Sequence, residues 1–420
     1  MDHFAMNQSE HKDVVEMSTT SQKLSFMNIV RTIGNVTLMV NTKAANEVFF
    51  EEEFLASKKI TNLNLSPTDI CELVTENKYI PMIMSWELLD KCSFKCPFCY
   101  IVGHSRNNII RFSKMKTELR KLIDKGLFYC LLTGGEATLH TDFVEIYQFL
   151  KASGVLVEIY TNGSLINDNL INLFKEYAPY KIEVSIYGTT QRVFSENVGT
   201  DKFDNCLILN NILQLKRNGI NVVCKTPLNK LTEKEFEDIR AWCNNNKIEH
   251  YYSTAIYKGY DGENLDRYSS SLELQGKYDA MKYLNLEKEY PDDENIKQQH
   301  PKGKTCYTCA IRKFGLHINS AFELMPCSET HFEESKSKLI EIGVDEAIRK
   351  YRSFVEPFIG RSIIGCDGCA ASKICNMCSA KANAVTNDNG KIADFKVPEG
   401  HCEIQRHRLT KMFDYIQNEG

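Results

Sequence analysis

The sequence predicts an α/β protein built on a six-stranded partial (β/α)6 TIM-like barrel. Between residues 80 and 255, short apolar runs alternate with helical stretches six times. The runs are almost continuously apolar, which is typical of parallel strands buried on both faces. Barrels of strand–helix units carry their chemistry at the carboxyl ends of the strands, so we expect functional residues directly after these runs.

The helices between the six strands have their own end signals. The apolar stretch 143–150 stops before Gly154, and Thr232–Glu235 has the capping-box pattern of a helix that ends near Asn246. The predicted strands are 81–88, 127–133, 155–161, 181–186, 220–226 and 248–254.

A smaller unit precedes the barrel. Residues 1–22 are polar and mixed in charge, and we predict that they are disordered. Residues 23–79 contain short apolar runs and a helix with Ser66 as N-cap and Pro67 at its first position. Strands are predicted at 26–30, 36–40 and 48–50. This part is either a separate small domain or a β-rich extension that covers the barrel.

Composition limits the classes of protein. The 420 residues suffice for two or three domains, and a net charge of −4 argues against nucleic-acid binding. No apolar run reaches membrane-spanning length and no signal peptide is apparent, so we expect no membrane association. Most of the 16 cysteines fall in close pairs, which favours metal ligation in the reducing cytoplasm over disulfides.

Three of these cysteines form a loop directly after the first barrel strand. Cys92, Cys96 and Cys99 have three and then two residues between them. Such a loop can hold three irons of a [4Fe–4S] cube and leave the fourth iron free for a small ligand. The alternative is a zinc loop, for which His104 is the only nearby fourth ligand.

This cysteine spacing, with the aromatic Phe98 directly before the third cysteine, resembles the signature of the radical S-adenosylmethionine (radical SAM) enzymes. The resemblance implies that the fourth iron is chelated by the amino and carboxylate groups of S-adenosylmethionine and that Phe98 packs near the adenine. It also implies a catalytic cluster: an electron entering it cleaves S-adenosylmethionine to a 5′-deoxyadenosyl radical that abstracts hydrogen from the substrate.

Other strand ends extend the resemblance. A Gly-Gly-Glu segment follows the second strand and is similar to the family segment that contacts the methionine amino group; Glu136 supplies a carboxylate for it. Ser185 resembles the serine that bonds the ribose, although many relatives have an aspartate where this chain has Tyr187. The cofactor contacts predicted on this basis are Phe98, Gly134, Gly135, Glu136, Asn162, Ser185 and Asn229.

Eight more cysteines follow residue 305, in an order that resembles the SPASM extension of radical SAM enzymes. Two features depart from that pattern: only two residues separate Cys375 from Cys378, and Phe322 stands where relatives have glycine. The alternative is a pair of zinc sites. The resemblance implies a first auxiliary cluster on Cys306, Cys309, Cys327 and Cys378, and a second on Cys366, Cys369, Cys375 and Cys402.

Together these features predict a cytoplasmic radical SAM enzyme with three [4Fe–4S] clusters. By resemblance to the maturases of ribosomally synthesised peptides, the substrate is a precursor peptide with a leader. The leader would be held by a winged-helix-like (RRE-like) N-terminal unit. The product would be a thioether or carbon–carbon cross-link or another altered side chain, and a flavodoxin or ferredoxin would donate electrons.

The corresponding division of the chain is 1–22 disordered, 23–79 RRE-like unit, 80–255 radical SAM barrel, 256–305 linker bordering the barrel mouth and 306–420 SPASM domain. Tyr260, Asp261, Arg267 and Tyr268 of the linker are candidate substrate contacts or ordinary loop residues. Two other functions stay open: an anaerobic sulfatase-maturating enzyme, and a non-catalytic iron–sulfur or zinc protein that binds a peptide or senses redox state.

Overall fold

The computed structural model describes residues 28–33, 36–41, 48–50, 66–75, 78–101, 109–256, 259, 263–289, 304–330, 332–369, 375 and 377–419. Its strands are β1 Asn28–Ile33, β2 Val36–Asn41, β3 Val48–Phe50, β4 Ile83–Glu87, β5 Tyr129–Thr133, β6 Leu156–Thr161, β7 Lys181–Ser185, β8 Val222–Pro227, β9 Glu249–Ser253, β10 Gly315–Ile318, β11 Glu323–Met325, β12 Ser337–Lys338, β13 Asn383–Thr386 and β14 Ile392–Lys396. Its α-helices are α1 Pro67–Thr75, α2 Phe112–Asp124, α3 Phe143–Ala152, α4 Asp168–Glu176, α5 Gln191–Val198, α6 Asn205–Arg217, α7 Phe236–Asn245, α8 Leu272–Glu289, α9 Leu339–Val355 (interrupted at Gly343) and α10 His401–Glu419.

The centre of the fold is a nine-stranded sheet in the order β12-β11-β10-β4-β5-β6-β7-β8-β9. Strands β4 to β9 lie side by side in chain order and are all parallel, which confirms the six predicted strands. The sheet does not close, because β12 and β9 end it on its two sides. Helices of the β4–β9 region share one hydrophobic core with the strands, and this core includes Ile182 and Val184 of β7 and Ile208 of α6.

Three strands of the cysteine-rich region enlarge this sheet beyond the six predicted. Strand β10 pairs in parallel with β4, and β11 and β12 follow in antiparallel order. The four residues of β10 are all buried, and Trp86 of β4 packs against Phe322 with ring centroids 5.7 Å apart. The region after residue 304 is therefore continuous with the sheet.

The N-terminal strands form a separate antiparallel sheet, β1-β2-β3, as predicted. The predicted cap of α1 is also confirmed: the Asp69 N–H donates to Ser66 Oγ at 3.2 Å, and the Ser66 N–H donates to Asp69 Oδ2 at 2.9 Å. Residues of this sheet and of α1 share a hydrophobic cluster with residues at the amino ends of the central strands. The cluster comprises Ile33, Val36, Val40, Ile70, Cys71, Val74, Met82, Phe128, Leu156 and Phe314. The unit thus covers the end of the sheet opposite to the cysteine loop.

The capping box predicted at Thr232–Glu235 is wrong. These residues form a 3₁₀ turn, and the helix begins after them at Phe236. The Thr232 hydroxyl donates to the Pro227 carbonyl at 2.7 Å, while the Glu235 carboxylate accepts the Thr189 and Thr190 N–H groups. Both side chains are used to join strand-end loops, so neither caps the helix. The predicted stop before Gly154 is confirmed, because α3 ends at Ala152 and Gly154 has a φ of +70°.

The predicted linker contains helix α8, which packs along the C-terminal helix α10. Arg408 of α10 forms an ion pair with Asp279 of α8 and donates to Thr254 Oγ1 at 2.8 Å. The predicted disordered segment 1–22 and the linker residues Tyr260 and Asp261 lie outside the described residues. Within the described ranges, no helix has the length and apolar character needed to cross a bilayer.

Candidate active site

The cysteine loop lies at the carboxyl end of β4, where the sequence predicts it. The loop is anchored by Phe94, whose buried ring contacts those of Phe194 and Phe203 edge-on. The Lys95 N–H donates to the Val198 carbonyl at 2.8 Å, which ties the loop to the end of α5. A turn within the loop is closed by the Cys99 N–H and the Cys96 carbonyl at 3.1 Å.

The thiols of Cys92, Cys96 and Cys99 are close enough together to affect one another's pKa values. Burial, with a smaller contribution from neighbouring thiols, raises the pKa of Cys92 to about 11 and that of Cys96 well above its ordinary value. Such thiols lose their protons when a cationic metal centre compensates the charge.

The described residues contain no group of three Cys, His, Asp or Glu side chains placed to share one metal ion. A [4Fe–4S] cube offers a separate iron to each cysteine, so its ligands do not converge on one point as zinc ligands do. Ligation of a cube by this loop stays a prediction. His104, the possible fourth zinc ligand, lies outside the described residues.

The two glycines after β5 are required by the chain's own backbone. A Cβ on Gly134 would lie 2.3 Å from the Leu89 carbonyl oxygen, and a Cβ on Gly135 would lie 2.3 Å from that of Lys91. The Gly135 N–H donates to Leu89 O at 2.8 Å, and the Glu136 N–H donates to Lys91 O at 3.0 Å. The Gly-Gly-Glu segment thus sets the position of the chain that enters the cysteine loop.

Glu136 is fully buried and bonded within the protein. Its carboxylate accepts the Thr138 hydroxyl at 2.6 Å, the Thr161 hydroxyl at 2.8 Å and the Asn162 N–H at 2.7 Å. Burial raises the pKa of this carboxyl, and these hydrogen bonds oppose the rise. The side chain joins the ends of β5 and β6. Its predicted contact with an ammonium group stays a prediction.

Asn162, at the end of β6, lies against the cysteine loop. Its Nδ2 is 3.5 Å from Cys92 Sγ and 2.9 Å from Ser93 Oγ. The Cys92 sulfur also accepts the Phe94 N–H at 3.4 Å. The predicted site residue is therefore close to Cys92 of the cysteine loop.

Phe98 and Ser185 meet around Tyr187. The Tyr187 ring lies 6.1 Å from that of Phe98 and 6.3 Å from that of Phe94, measured between centroids. Burial raises the pKa of its phenol well above the ordinary value, and Ser185 and the Cys96 thiol lie near enough to act on that pKa. On the other side, Tyr268 of the linker places its ring 6.4 Å from Phe98. The linker thus borders the site, as expected.

Asn229 has no exposed surface from which it could contact the residues around Tyr187. Its side chain is fully buried, and its Oδ1 accepts the Leu231 and Thr232 N–H groups at 2.7 and 2.9 Å. Nδ2 donates to Asn197 Oδ1 at 3.2 Å. The side chain thus stabilises a turn, and its predicted contact with the cofactor stays a prediction.

One face of the central sheet carries charged residues that were not predicted from the sequence. Lys181 and Lys225 lie 2.7 and 3.0 Å from the carboxylate of Glu183, and Lys225 Nζ is 4.1 Å from the centre of the Tyr160 ring. Because strand side chains alternate, these residues and Ser185 lie on the face away from the helices. The sequence carries a local signal for this polar face, because the polar residues at 181, 183 and 185 alternate with Ile182 and Val184.

A second missed group joins the cysteine loop to β10. The Tyr100 hydroxyl donates to the buried Glu87 carboxylate at 3.4 Å, and His317 Nε2 lies 3.8 Å from the same carboxylate. His317 Nδ1 and the Ser85 hydroxyl are 2.7 Å apart. These residues are far apart in sequence, so only the parallel pairing of β10 with β4 reveals them.

Four of the eight C-terminal cysteines line one cavity, and the division of all eight into two cluster-binding sets stays a prediction. Cys366, Cys369, Cys375 and Cys402 line a cavity of about 260 Å³ together with Lys304, His401 and Arg406. Burial raises the pKa of the Tyr307 phenol, and the nearby thiols of Cys327, Cys306, Cys378 and Cys309 also act to raise it. Phe322 has a φ of +57°, so this residue keeps a backbone conformation that favours glycine.

The Radical SAM superfamily model matches residues 86–243, which include the cysteine loop and four of the strand ends described above. Residues 86–243 are a radical SAM domain. The match supports binding of S-adenosylmethionine and an iron–sulfur cluster by these residues.

Curated relatives match part of the chain. The chain is 34% identical over 119 residues to a probable GTP 3′,8-cyclase of Saccharolobus solfataricus, covering 28% of this chain and 38% of that protein. It is 24% identical over 205 residues to the GTP 3′,8-cyclase of Haemophilus influenzae, covering 47% of this chain and 59% of that protein. The chain therefore spans less than two thirds of the length of these relatives.

Solved structures match more of the chain at low identity. Streptococcus suis SuiB bound to S-adenosylmethionine has a TM-score of 0.56 at 13% identity and covers 79% of this chain and 90% of its own. The anSMEcpe structure with AdoMet and the Kp18Cys peptide has a TM-score of 0.58 at 14% identity and covers 80% and 99%. SuiB bound to its precursor peptide SuiA gives 0.54 at 13% identity, with 77% and 87% covered. These values show a shared fold that extends beyond the radical SAM domain.

Proposed function

We propose that this chain is a radical SAM peptide maturase that alters a residue of a ribosomally made precursor peptide. The observation that supports it most is the grouping of the eight C-terminal cysteines in a region continuous with the central sheet. Two auxiliary four-iron clusters in that region would bring the total to three. The fold of SuiB, which has been seen bound to its precursor peptide SuiA, supports the peptide substrate.

In this mechanism Cys92, Cys96 and Cys99 hold the first cluster. When bound, the cluster and S-adenosylmethionine supply a radical that abstracts hydrogen from an unactivated carbon. Phe98 and Ser185 would orient the nucleoside. The Tyr187 side chain, which lies beside both residues, would keep them in position. Tyr268 closes the site on the linker side and limits access of water, which protects a radical from side reactions.

The peptide would enter over the charged face of the sheet. Lys225 and Glu183 offer one charge of each sign there, suited to polar groups of a peptide. The N-terminal sheet is the proposed leader-binding unit. Because it covers the opposite end of the strands, a leader bound there would have to run along the outside of the sheet to deliver the modified residue.

The sulfatase-maturating alternative is supported by anSMEcpe, whose TM-score equals that of SuiB within 0.02. The residues preceding the cysteine loop favour the precursor-peptide reading, because they include a folded sheet and helix. The GTP 3′,8-cyclases are matched over only 38% and 59% of their own length, so GTP is not proposed as the substrate.

The first test is anaerobic. The reconstituted protein should hold about twelve irons, which is three four-iron clusters. With dithionite and S-adenosylmethionine it should form 5′-deoxyadenosine, and the C96A variant should fall to background. C206A is the matched control, because Cys206 is an exposed cysteine outside all three groups.

Zinc in place of iron, or no 5′-deoxyadenosine, would contradict the enzyme and leave a metal-stabilised binding protein. With cleavage established, a precursor peptide encoded beside this gene should lose two hydrogen atoms if it becomes cross-linked. Modification of the Kp18Cys peptide instead would favour the sulfatase-maturating function.

A further inference from the structure

The side-chain amide of Asn162 has one possible orientation. The Ser164 N–H, which can only donate, lies 2.9 Å from Asn162 Oδ1. The oxygen is therefore at that end of the amide, and Nδ2 points at Cys92 Sγ and Ser93 Oγ. The sulfur of Cys92 thus receives an N–H donor.

Asn162 is held on every side. Its own N–H donates to Glu136 Oε2 at 2.7 Å, and Glu136 is buried at the end of the neighbouring strand. The Ser93 hydroxyl that accepts Nδ2 is 2.9 Å from the Ser164 hydroxyl. Only 6% of Asn162 is exposed, so water cannot replace its amide readily. The donor is preorganised toward the sulfur.

We propose that Asn162 is a positioning residue that donates a hydrogen bond to the Cys92 sulfur and so raises the reduction potential of the cluster held by Cys92, Cys96 and Cys99. The inference rests on the radical SAM cluster of the proposed function. It assigns Asn162 to a cluster ligand, where the sequence predicted a contact with S-adenosylmethionine. It also gives the Glu136 carboxylate an indirect role, since that carboxylate fixes Asn162.

The direction follows from charge. Reduction adds one electron to the cluster, and the added negative charge is shared with the cysteine sulfurs. A donor aimed at a sulfur stabilises the more negative, reduced state more than the oxidised one. Without that donor the reduced state loses stability and the potential falls.

The test is a redox titration of the loaded protein, monitored by electron paramagnetic resonance of the reduced cluster. In N162A, we expect the ratio of reduced to oxidised cluster at a fixed potential to fall about tenfold, which is about 59 mV for a one-electron couple. N162D keeps the shape but places a carboxylate oxygen beside the sulfur, so its potential should fall further. The auxiliary signals should not move.

The matched control is N211A. Asn211 donates to the Gly163 carbonyl at 2.9 Å, so its loss disturbs the same loop without removing a sulfur donor. An unchanged potential in N162A would overturn the proposal, as would an equal shift in N211A. If N162A does not take up iron, N162S replaces it, since serine keeps a small polar group on an intact backbone.

The inference about Asn162 can be wrong while the proposed function is correct. The wild-type protein would still hold iron and form 5′-deoxyadenosine if Asn162 had no effect on the potential. If the wild-type protein binds no iron–sulfur cluster, the proposed function and this inference fall together.

Discussion

Close packing of single residues determines whether the cysteine loop can form. At Gly134 the φ is +120° and the Leu89 carbonyl oxygen occupies the space of a Cβ. That oxygen belongs to the strand-end segment leading into Cys92 and also accepts the Gly135 N–H. A side chain at this position would have to displace backbone, which has less freedom to move than a flexible side chain.

We predict that G134A unfolds at lower denaturant concentration, losing about 3–5 kcal/mol from overpacking and backbone strain together. It should also retain less iron after reconstitution. G219A is the control, because Gly219 has a φ of +75° but no atom within 4 Å of its Cβ position. G219A should lose only about 1–2 kcal/mol and keep its iron. Equal losses in both variants would show that strain alone is responsible.

The candidate site could be predicted from sequence as far as local patterns reach. The cysteine loop, Phe98 and Ser185 lie together as expected, because their spacing places them after neighbouring parallel strands. The role of Asn229 stays a prediction, and its position after a strand does not reveal that its side chain is buried in a turn. Metal ligation by the eleven cysteines stays a prediction.

At the scale of elements, the N-terminal sheet is attached by one well-placed side chain as well as by its apolar face. Arg31 of β1 donates to the carbonyl oxygens of Leu127 at 2.5 Å, Ile123 at 2.8 Å and Gly154 at 3.3 Å. These carbonyls lie at the end of α2 and at the starts of β5 and β6. A single guanidinium thus joins the small sheet to the amino ends of two central strands.

We predict that R31A lowers the free energy of unfolding by about 2–4 kcal/mol, because three carbonyl groups lose a charged donor. Cleavage of S-adenosylmethionine should be unaffected, since the contact is at the end of the sheet away from the cysteine loop. Chemical denaturation and 5′-deoxyadenosine formation measure the two effects. R192A is the control, because Arg192 forms an exposed pair with Glu196. A loss of cleavage in R31A would instead reveal coupling through the strands.

Element prediction was good where a run of residues had one clear pattern. The six parallel strands and the cap at Ser66 were found because apolar runs and capping residues are local signals. Strand β10 was missed, since Gly315–Ile318 is only four residues long and lies within the cysteine-rich region. Its partner β4 is more than 200 residues away, so only the tertiary fold makes it a strand of the main sheet.

The radical SAM domain and the cysteine-rich region after residue 304 pack together more closely than the predicted division into domains implies. One hydrophobic core runs from helix α2 and strand β4 to residues of the cysteine-rich region such as Leu324, Tyr351 and Phe395. The Val344 N–H of α9 donates to Glu118 of α2 at 2.9 Å, and the buried Tyr351 hydroxyl donates to the Gly315 carbonyl at 2.8 Å. The cysteine-rich region therefore shares its core with the radical SAM domain.

This shared core predicts a single cooperative unfolding transition. The chain has two tryptophans, and W242F leaves Trp86, which is buried in β4 against Phe322 of the cysteine-rich region. Its fluorescence reports the junction, while far-UV circular dichroism reports all helices. For the loaded protein under anaerobic guanidinium titration, the two signals should change at the same midpoint and with the same slope.

F322A should shift both midpoints equally, because it leaves a cavity at the junction. If Trp86 became exposed before the circular dichroism signal changed, the cysteine-rich region would be detaching from a sheet that remains folded, and the shared core would not be the unit of stability.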